Sequence, residues 1–434
     1  MRKPITLALI IFVFTGNNLA QQWQSFTTEN SGLPSNNIFS VAVDSFGIIW
    51  FGSDAGVTGY DGSNWHTYNR ADCLADLQVN DLKIMEHTEL WVATNNGVSA
   101  LGFSSLDAIT MATPYRTNNT GLLSNKINSL AIDQNLVRWF ATDSGVTAFT
   151  GQHWISTKSQ HVVLDNDVRS IEFGPDQIAY CGTEGGGVAR LKLSGLDIIT
   201  AASTIERPWA PVPIDSVLAI HIGADGLQWF GTTQGLFQHQ GINSKINWKR
   251  FTVSDGLPHP VVQAIAKDAI GKIWVGTQCG VTCVEKDFSS YTNYSSTDGL
   301  INDDVRDIAT DVNGSIWLAT AGGVSKFSPN ASKVASNPNI GLPKSIELNI
   351  YPNPFNACTS IEIRTMNSVY TEIAIYNLSG QRIRLVWNGL ASSDRHVVRW
   401  EAQDDHGFSV PSGLYFVRCI SGSLVINKKM LLIH

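Results

Sequence analysis

Residues 49–62 read "IWFGSDAGVTGYDG", and the phrase returns as "LWVATNNGVSAL" (90–101), "RWFATDSGVTAFTG" (138–151), "QWFGTTQGLFQHQG" (228–241), "IWVGTQCGVTCV" (273–284) and "IWLATAGGVSKF" (316–327). Aligned on the central aromatic, the copies centre on Trp50, Trp91, Trp139, Tyr180, Trp229, Trp274 and Trp317, at intervals of 41, 48, 41, 49, 45 and 43 residues. Strand-like repeats with a period in the forties are the signature of β-propeller blades, and seven anchors imply seven blades.

The first copy reads strand by strand. "NIFSVAVD" alternates and is β-branched, "IIWFGS" follows a turn at "SFG", and "VTGY" follows "DAG". The Asp-Gly turn "DGSN" then leads into "WHTYN". Each repeated tryptophan buries about 150–250 Å², roughly 4–6 kcal/mol gross at about 25 cal/mol/Å², so the stripe reads as core that wedges blades together rather than as a sugar-stacking platform. "DSFG", "DAIG" and "DVNG" read as Asx-type turns, lacking the many oxygen ligands of a calcium loop. The seventh copy ends at "GGVSKF" without a fourth strand, while "QWQSFTTEN" (22–30) resembles a fourth strand without its first three. Pairing Trp23–Thr27 with Val324–Phe327 closes the ring and removes an exposed sheet edge.

Composition bounds the rest. The 434 residues are 43% hydrophobic and 15% charged, which suits a globular chain with a large core. A net charge of −7 without a basic cluster speaks against nucleic acid as a partner. Arg2 and Lys3 precede the apolar run Ile5–Phe14, too short to span a bilayer and read as a signal peptide cleaved after Ala20. No membrane span is expected. Six cysteines in so long a chain do not form a disulfide framework or a metal site; Cys358–Cys419 is the one bridge that export would permit.

The repeat pattern over residues 22–327, with its "GLPSN" lead-in, Asp-x-x-Gly-x-x-Trp-Phe-Gly centre and Asp-Gly turn, resembles the two-component regulator propeller repeat. The resemblance implies a sensor propeller of the kind found in histidine kinases that respond to polysaccharides. With no kinase or receiver segment in the sequence, binding a polysaccharide or a surface protein is the expected role. Beyond the polar stretch "SPNASKVASNPNIGLPKS", short alternating segments from Ile346 onward suggest an immunoglobulin-like sandwich. "YPNPFN" (351–356), "IAIYNLSGQRIR" (373–384), "DDHGFSVPSGLYFVR" (404–418) and "KKMLLIH" resemble the C-terminal sorting domain of type IX secretion, and also the flagellar hook-capping Ig-like domain. The terminal position favours sorting.

The expected fold is therefore all-β: a signal peptide (1–20), a seven-bladed β-propeller (21–330), a linker (331–345) and an Ig-like sorting domain (346–434). The sorting resemblance implies engagement of the secretion machinery through 346–434 and passage from the periplasm to the outer surface of a Gram-negative cell.

Candidate site residues lie where the first strands begin. One ring, taken as Asn36, Asn80, Asn125, Asn166, Asp215, Pro260 and Asp303, precedes those strands, and side chains of this type cap their own turns or bind a ligand. Three positions on come Phe39, Lys83, Asn128, Arg169, Leu218, Gln263 and Arg306, chemically varied at a point of convergence. Lys83, Arg169 and Arg306 favour an anionic or polyhydroxylated ligand, the alternative being that they are solvated or paired with neighbouring acids such as Asp303. Lys83, Asn128, Arg169, Gln263, Arg306, Asn36, Asn125 and Asp303 are the expected ligand-binding residues. No cofactor or metal is implied. Catalysis is not expected, since no nucleophile elbow, zinc motif or phosphate loop is present. The alternative is a lyase or hydrolase using His221, Glu86 and Glu172, as a likeness to streptogramin lyases suggests; a structural envelope protein is the third reading.

Overall fold

The structure is a computed structural model in which residues 23–433 are described, except 45–46, 73, 86–88, 158–164, 195–197, 206–215, 241–247, 286–287, 330–346, 365–368, 378–381, 392–395, 406 and 422–423. The expected signal segment and linker lie outside the described residues, as do Glu86 and Asp215 of the expected site.

Seven four-stranded antiparallel sheets succeed one another through residues 38–327, and the last takes its fourth strand from the beginning of the chain. Blade 1 comprises Ile38–Val43, Ile49–Ser53, Gly56–Tyr60 and Trp65–Tyr68. The first strands of blades 2 to 7 are Val79–Met85, Ile127–Ile132, Val168–Phe173, Val217–Ile222, Val262–Lys267 and Val305–Thr310. Each first strand packs on the first strands of its two neighbours, and the seventh packs on the first, so the ring is closed.

Packing explains the phrase. Every repeated aromatic is no more than 2% exposed. Trp50 reaches Phe103 of blade 2 at 5.0 Å between ring centroids, Trp91 reaches Phe140 of blade 3 at 5.7 Å, and Trp317 reaches Phe51 of blade 1 at 5.8 Å. The rings join neighbouring blades, as the sequence suggests. The residue two places after the aromatic is Gly or Ala because the next blade leans on it: a Cβ on Gly52 would stand 2.5 Å from Val79 Cγ1. Gly56 turns with φ +114°, and a Cβ there would meet Tyr68 O at 2.3 Å, so the turn admits only glycine.

The aspartates of the turns do two jobs. Asp44 Oδ1 accepts the Ile48 N–H at 2.9 Å, while its Oδ2 accepts the Trp50 indole N–H at 3.1 Å. Asp133–Trp139, Asp268–Trp274 and Asp311–Trp317 repeat the indole contact at 3.3, 3.1 and 2.9 Å.

Closure follows the expected pairing: Trp23 lies opposite Phe327 and Phe26 opposite Val324. Gly299 abuts Trp23 as Gly32 abuts Trp65, which marks Trp23–Phe26 as the fourth strand of blade 7. Phe26 then stacks on Trp317 at 5.6 Å.

Residues 347–432 form two further sheets. One orders Glu347–Tyr351, Thr359–Arg364 and His396–Trp400; the other orders Arg382–Ala391, Val369–Tyr376, Gly413–Ser421 and Leu424–Leu432. Leu348, Ile361 and Ile363 of the first meet Ile373, Val417 and Cys419 of the second in one core, making a β-sandwich. The "YPNPF" loop clamps the last strand: Asn353 Oδ1 accepts the Leu431 N–H at 2.9 Å, and Asn353 Nδ2 donates to Lys429 O at 2.9 Å. Cys358 and Cys419 are both free thiols, Cys419 in the core and Cys358 receiving a hydrogen bond from Arg399, so the bridge that export would permit does not form.

Candidate functional site

All seven first strands carry a one-residue bulge directly after their first residue. A bulge re-aims a side chain, and here it turns Phe39, Asn80, Asn128, Arg169, Leu218, Gln263 and Arg306 into the lining of a central cavity of about 650 Å³.

This register corrects the sequence alignment in blade 2. Its bulged residue is Asn80, and Lys83 stands three places deeper, level with Glu172 and His221. The position two before the strand is Leu77 in that blade: its carbonyl accepts Gly56 N, as those of Asn125 and Asp303 accept Gly97 N and Gly280 N. The slip arose because Asn80 imitates the asparagines of the neighbouring ring.

Asn36, Asn125 and Asp303 of that ring cap loops beside them and are not among the residues that line the cavity. Asn36 Oδ1 accepts Thr28 N at 2.8 Å, Asn125 Oδ1 accepts Thr117 N at 2.8 Å, and Asp303 Oδ1 accepts Ser296 N at 2.6 Å. Lys83, Asn128, Arg169, Gln263 and Arg306 all line it.

The amides among them bond across blades. Asn80, Asn128 and Gln263 donate to the carbonyls of Ile127, Val168 and Val305, the first residues of the next blades' inner strands, at 2.7, 2.8 and 3.1 Å. Arg169 is held by Asp167 at 3.2 Å and Glu184 at 2.8 Å. Arg306 bonds to Asp304 at 3.1 Å and Asn37 at 2.5 Å, and its guanidinium lies 4.7 Å from the Phe39 ring centroid. The sequence allows for pairing of these arginines with neighbouring acids such as Asp303; the acids that hold them are Asp167, Glu184 and Asp304.

Deeper in the channel, carboxylates join the inner strands. Asp307 Oδ2 accepts Val41 N at 2.8 Å and Ser40 Oγ at 3.1 Å; Asp81 Oδ2 accepts Leu130 N at 2.8 Å and Ser129 Oγ at 2.9 Å. Glu172 Oε1 accepts Ile222 N at 3.1 Å and lies 3.3 Å from His221 Nδ1. Burial pushes the Asp307 carboxyl up to about 6, against the opposing pull of Lys83. Asp81, whose Oδ1 is 3.6 Å from Lys83 Nζ, holds the ammonium above its ordinary range. The Lys83 side chain is enclosed by the ring yet 46% exposed to the channel space.

Residues 32–55 and 256–278 match the two component regulator propeller, and residues 349–433 match the secretion system C-terminal sorting domain. The chain carries regulator-propeller repeats and a sorting domain. That domain marks it for secretion and cell-surface attachment, and no helix among the described residues is long and apolar enough to cross a membrane. The regulator-propeller repeats have solved structural counterparts. The extracellular domain of a hybrid two component system from B. thetaiotaomicron is similar at TM-score 0.60 and 16% identity, with 95% of this chain and 57% of that chain covered. PorZ, a surface component of the type-IX secretion system of Porphyromonas gingivalis, is similar at TM-score 0.55 and 16% identity, with 93% and 60% covered. The chain thus spans less than two thirds of either. Virginiamycin B lyase from Staphylococcus aureus is similar at TM-score 0.54 and 15% identity, with 70% of this chain and 98% of that chain covered. Among curated proteins none matches the sequence.

Proposed function

We propose that the protein is a non-catalytic binding module of the cell surface whose ligand, a glycan, seats in the channel end ringed by the bulged residues. One observation carries this reading: seven structurally equivalent bulges aim side chains of five kinds, Phe, Asn, Arg, Leu and Gln, into one cavity of about 650 Å³. The guanidinium–carboxylate pairs of Arg169 and Arg306 offer donors and acceptors side by side, which suits vicinal hydroxyls. The deciding experiment is a glycan array with the wild type and the Arg169→Ala/Arg306→Ala double variant, each checked for an intact melting transition. Saturable binding lost in the folded variant supports the reading. Binding unchanged in that variant, or absent from the wild type, refutes it and leaves a structural envelope protein.

A lyase is the second reading, favoured by the likeness to virginiamycin B lyase and by the His221–Glu172 contact. Against it, His221 Nε2 is shielded from solvent and has no hydrogen-bond partner among the described residues, while Nδ1 faces Glu172, so the ring presents no accessible nitrogen to a substrate. Turnover of a streptogramin-type substrate that is abolished by His221→Ala would establish the lyase.

A further inference from the structure

The charges around the cavity are unequal at both depths. Inside, Asp81, Glu172 and Asp307 face the single ammonium of Lys83, three carboxylates against one cation and a formal −2. At the rim, Arg169 and Arg306 are matched by Asp167, Glu184 and Asp304, two cations against three carboxylates and a formal −1. The guanidiniums therefore reach a ligand already neutralised.

The inner carboxylates are also fixed. Asp81 and Asp307 each accept the backbone N–H of the neighbouring blade's inner strand, and Glu172 does the same for Ile222. None can swing aside for an anion without breaking an inter-blade bond. A preorganised field of one sign in a walled cavity attracts the opposite charge and rejects its own.

We infer that the cavity selects its glycan by charge, taking saccharides that carry a protonated amine and rejecting those that carry uronate or sulfate groups. This inference rests on the glycan reading above and reverses the anionic ligand that Lys83, Arg169 and Arg306 suggest in isolation. Lys83 sets the limit of the preference, because it is the one cation at that depth among the described lining residues.

The test is titration calorimetry of the full chain with three tetramers of one length: glucosamine, N-acetylglucosamine and galacturonate. The glucosamine tetramer is expected to bind about tenfold more tightly than the neutral one, and the galacturonate tetramer more weakly than either. Raising the salt should narrow the gap. Lys83→Met should widen it several-fold and Glu172→Gln should narrow it, and because the two variants move the gap in opposite directions, a general loss of folding cannot imitate the result. Equal or tighter binding of galacturonate, or a gap that neither variant moves, overturns the charge selection while leaving glycan binding in place. Failure of all three tetramers to bind overturns both.

Discussion

Asp307 and Val41 are 266 positions apart in the chain and 2.8 Å apart in the ring, the carboxylate of the last blade accepting the backbone N–H of the first. Ser40 extends the link: its hydroxyl meets Asp307, and its oxygen accepts Leu82 N at 3.1 Å. Blades 7, 1 and 2 are thereby joined by polar bonds at the innermost layer, where the tryptophans do not reach.

This placement makes ring stability pH-dependent, with a definite sign. The Asp307 carboxyl is raised from its ordinary 3.8 to about 6, so the folded ring holds the proton more tightly than the unfolded chain. The stabilisation is complete below about pH 4 and is lost as pH rises through about 6, on the order of 3 kcal/mol. Melting temperatures measured from pH 5 to 7.5 should fall more steeply in the wild type than in Asp307→Asn. Equal slopes would remove Asp307 as the cause.

Closure by the Trp23–Phe26 strand predicts a second effect. Phe26→Ala removes a ring packed on Trp317, Trp65 and Tyr60 and should cost about 3–5 kcal/mol. Deleting residues 22–29 should also bare the Val324–Phe327 edge and promote association, visible in light scattering. A monomeric deletion variant with unchanged melting would show that the strand does not close the ring.

Blade number, strand order and closure were legible because each rests on a repeated local rule: one wedge aromatic, one turn glycine and one lone strand at either end. The channel was legible only in part. Asn80 was aligned by chemical likeness, whereas the spacing from the first buried strand residue to the aromatic is twelve in every blade, from Ile38–Trp50 to Val305–Trp317. That spacing assigns Val79 to Trp91 and shifts Lys83 inward. The constant step of six from Asp44, Asp133, Asp268 and Asp311 to their tryptophans was likewise visible, and it carried the indole bond as well as the turn. Pairing of the arginines with nearby acids was legible, but not that the acids are Asp167, Glu184 and Asp304. Side-chain pairings at one rim depend on rotamers and loop positions that no repeat period encodes.

The aspartate–indole bonds set up a comparison between blades. Trp317 donates to Asp311 at 2.9 Å, while Trp91 Nε1 has no hydrogen-bond partner among the described residues. Replacing Trp317 with Phe leaves a buried carboxylate oxygen unsatisfied, so Trp317→Phe should cost about 1–3 kcal/mol more than Trp91→Phe. Urea unfolding of the two variants measures the difference. Equal costs would reduce the indole bond to a by-product of packing.

The sorting domain offers a test that separates folding from transport. Asn353 bonds to both Lys429 and Leu431, fastening the "YPNPF" loop to the strand that carries the "KKMLLIH" terminus. Asn353→Ala removes both bonds and should destabilise the sandwich by about 1–2 kcal/mol while leaving the propeller's own transition unchanged. Deleting 346–434 should go further and leave a folded propeller in the periplasm. If the secretion machinery reads the fastened terminus, Asn353→Ala should lower surface display, measured by protease shaving of intact cells, without changing total protein. Full display of Asn353→Ala alongside lost display of the deletion would place the address elsewhere in the sandwich, and full display of both would refute sorting through these residues.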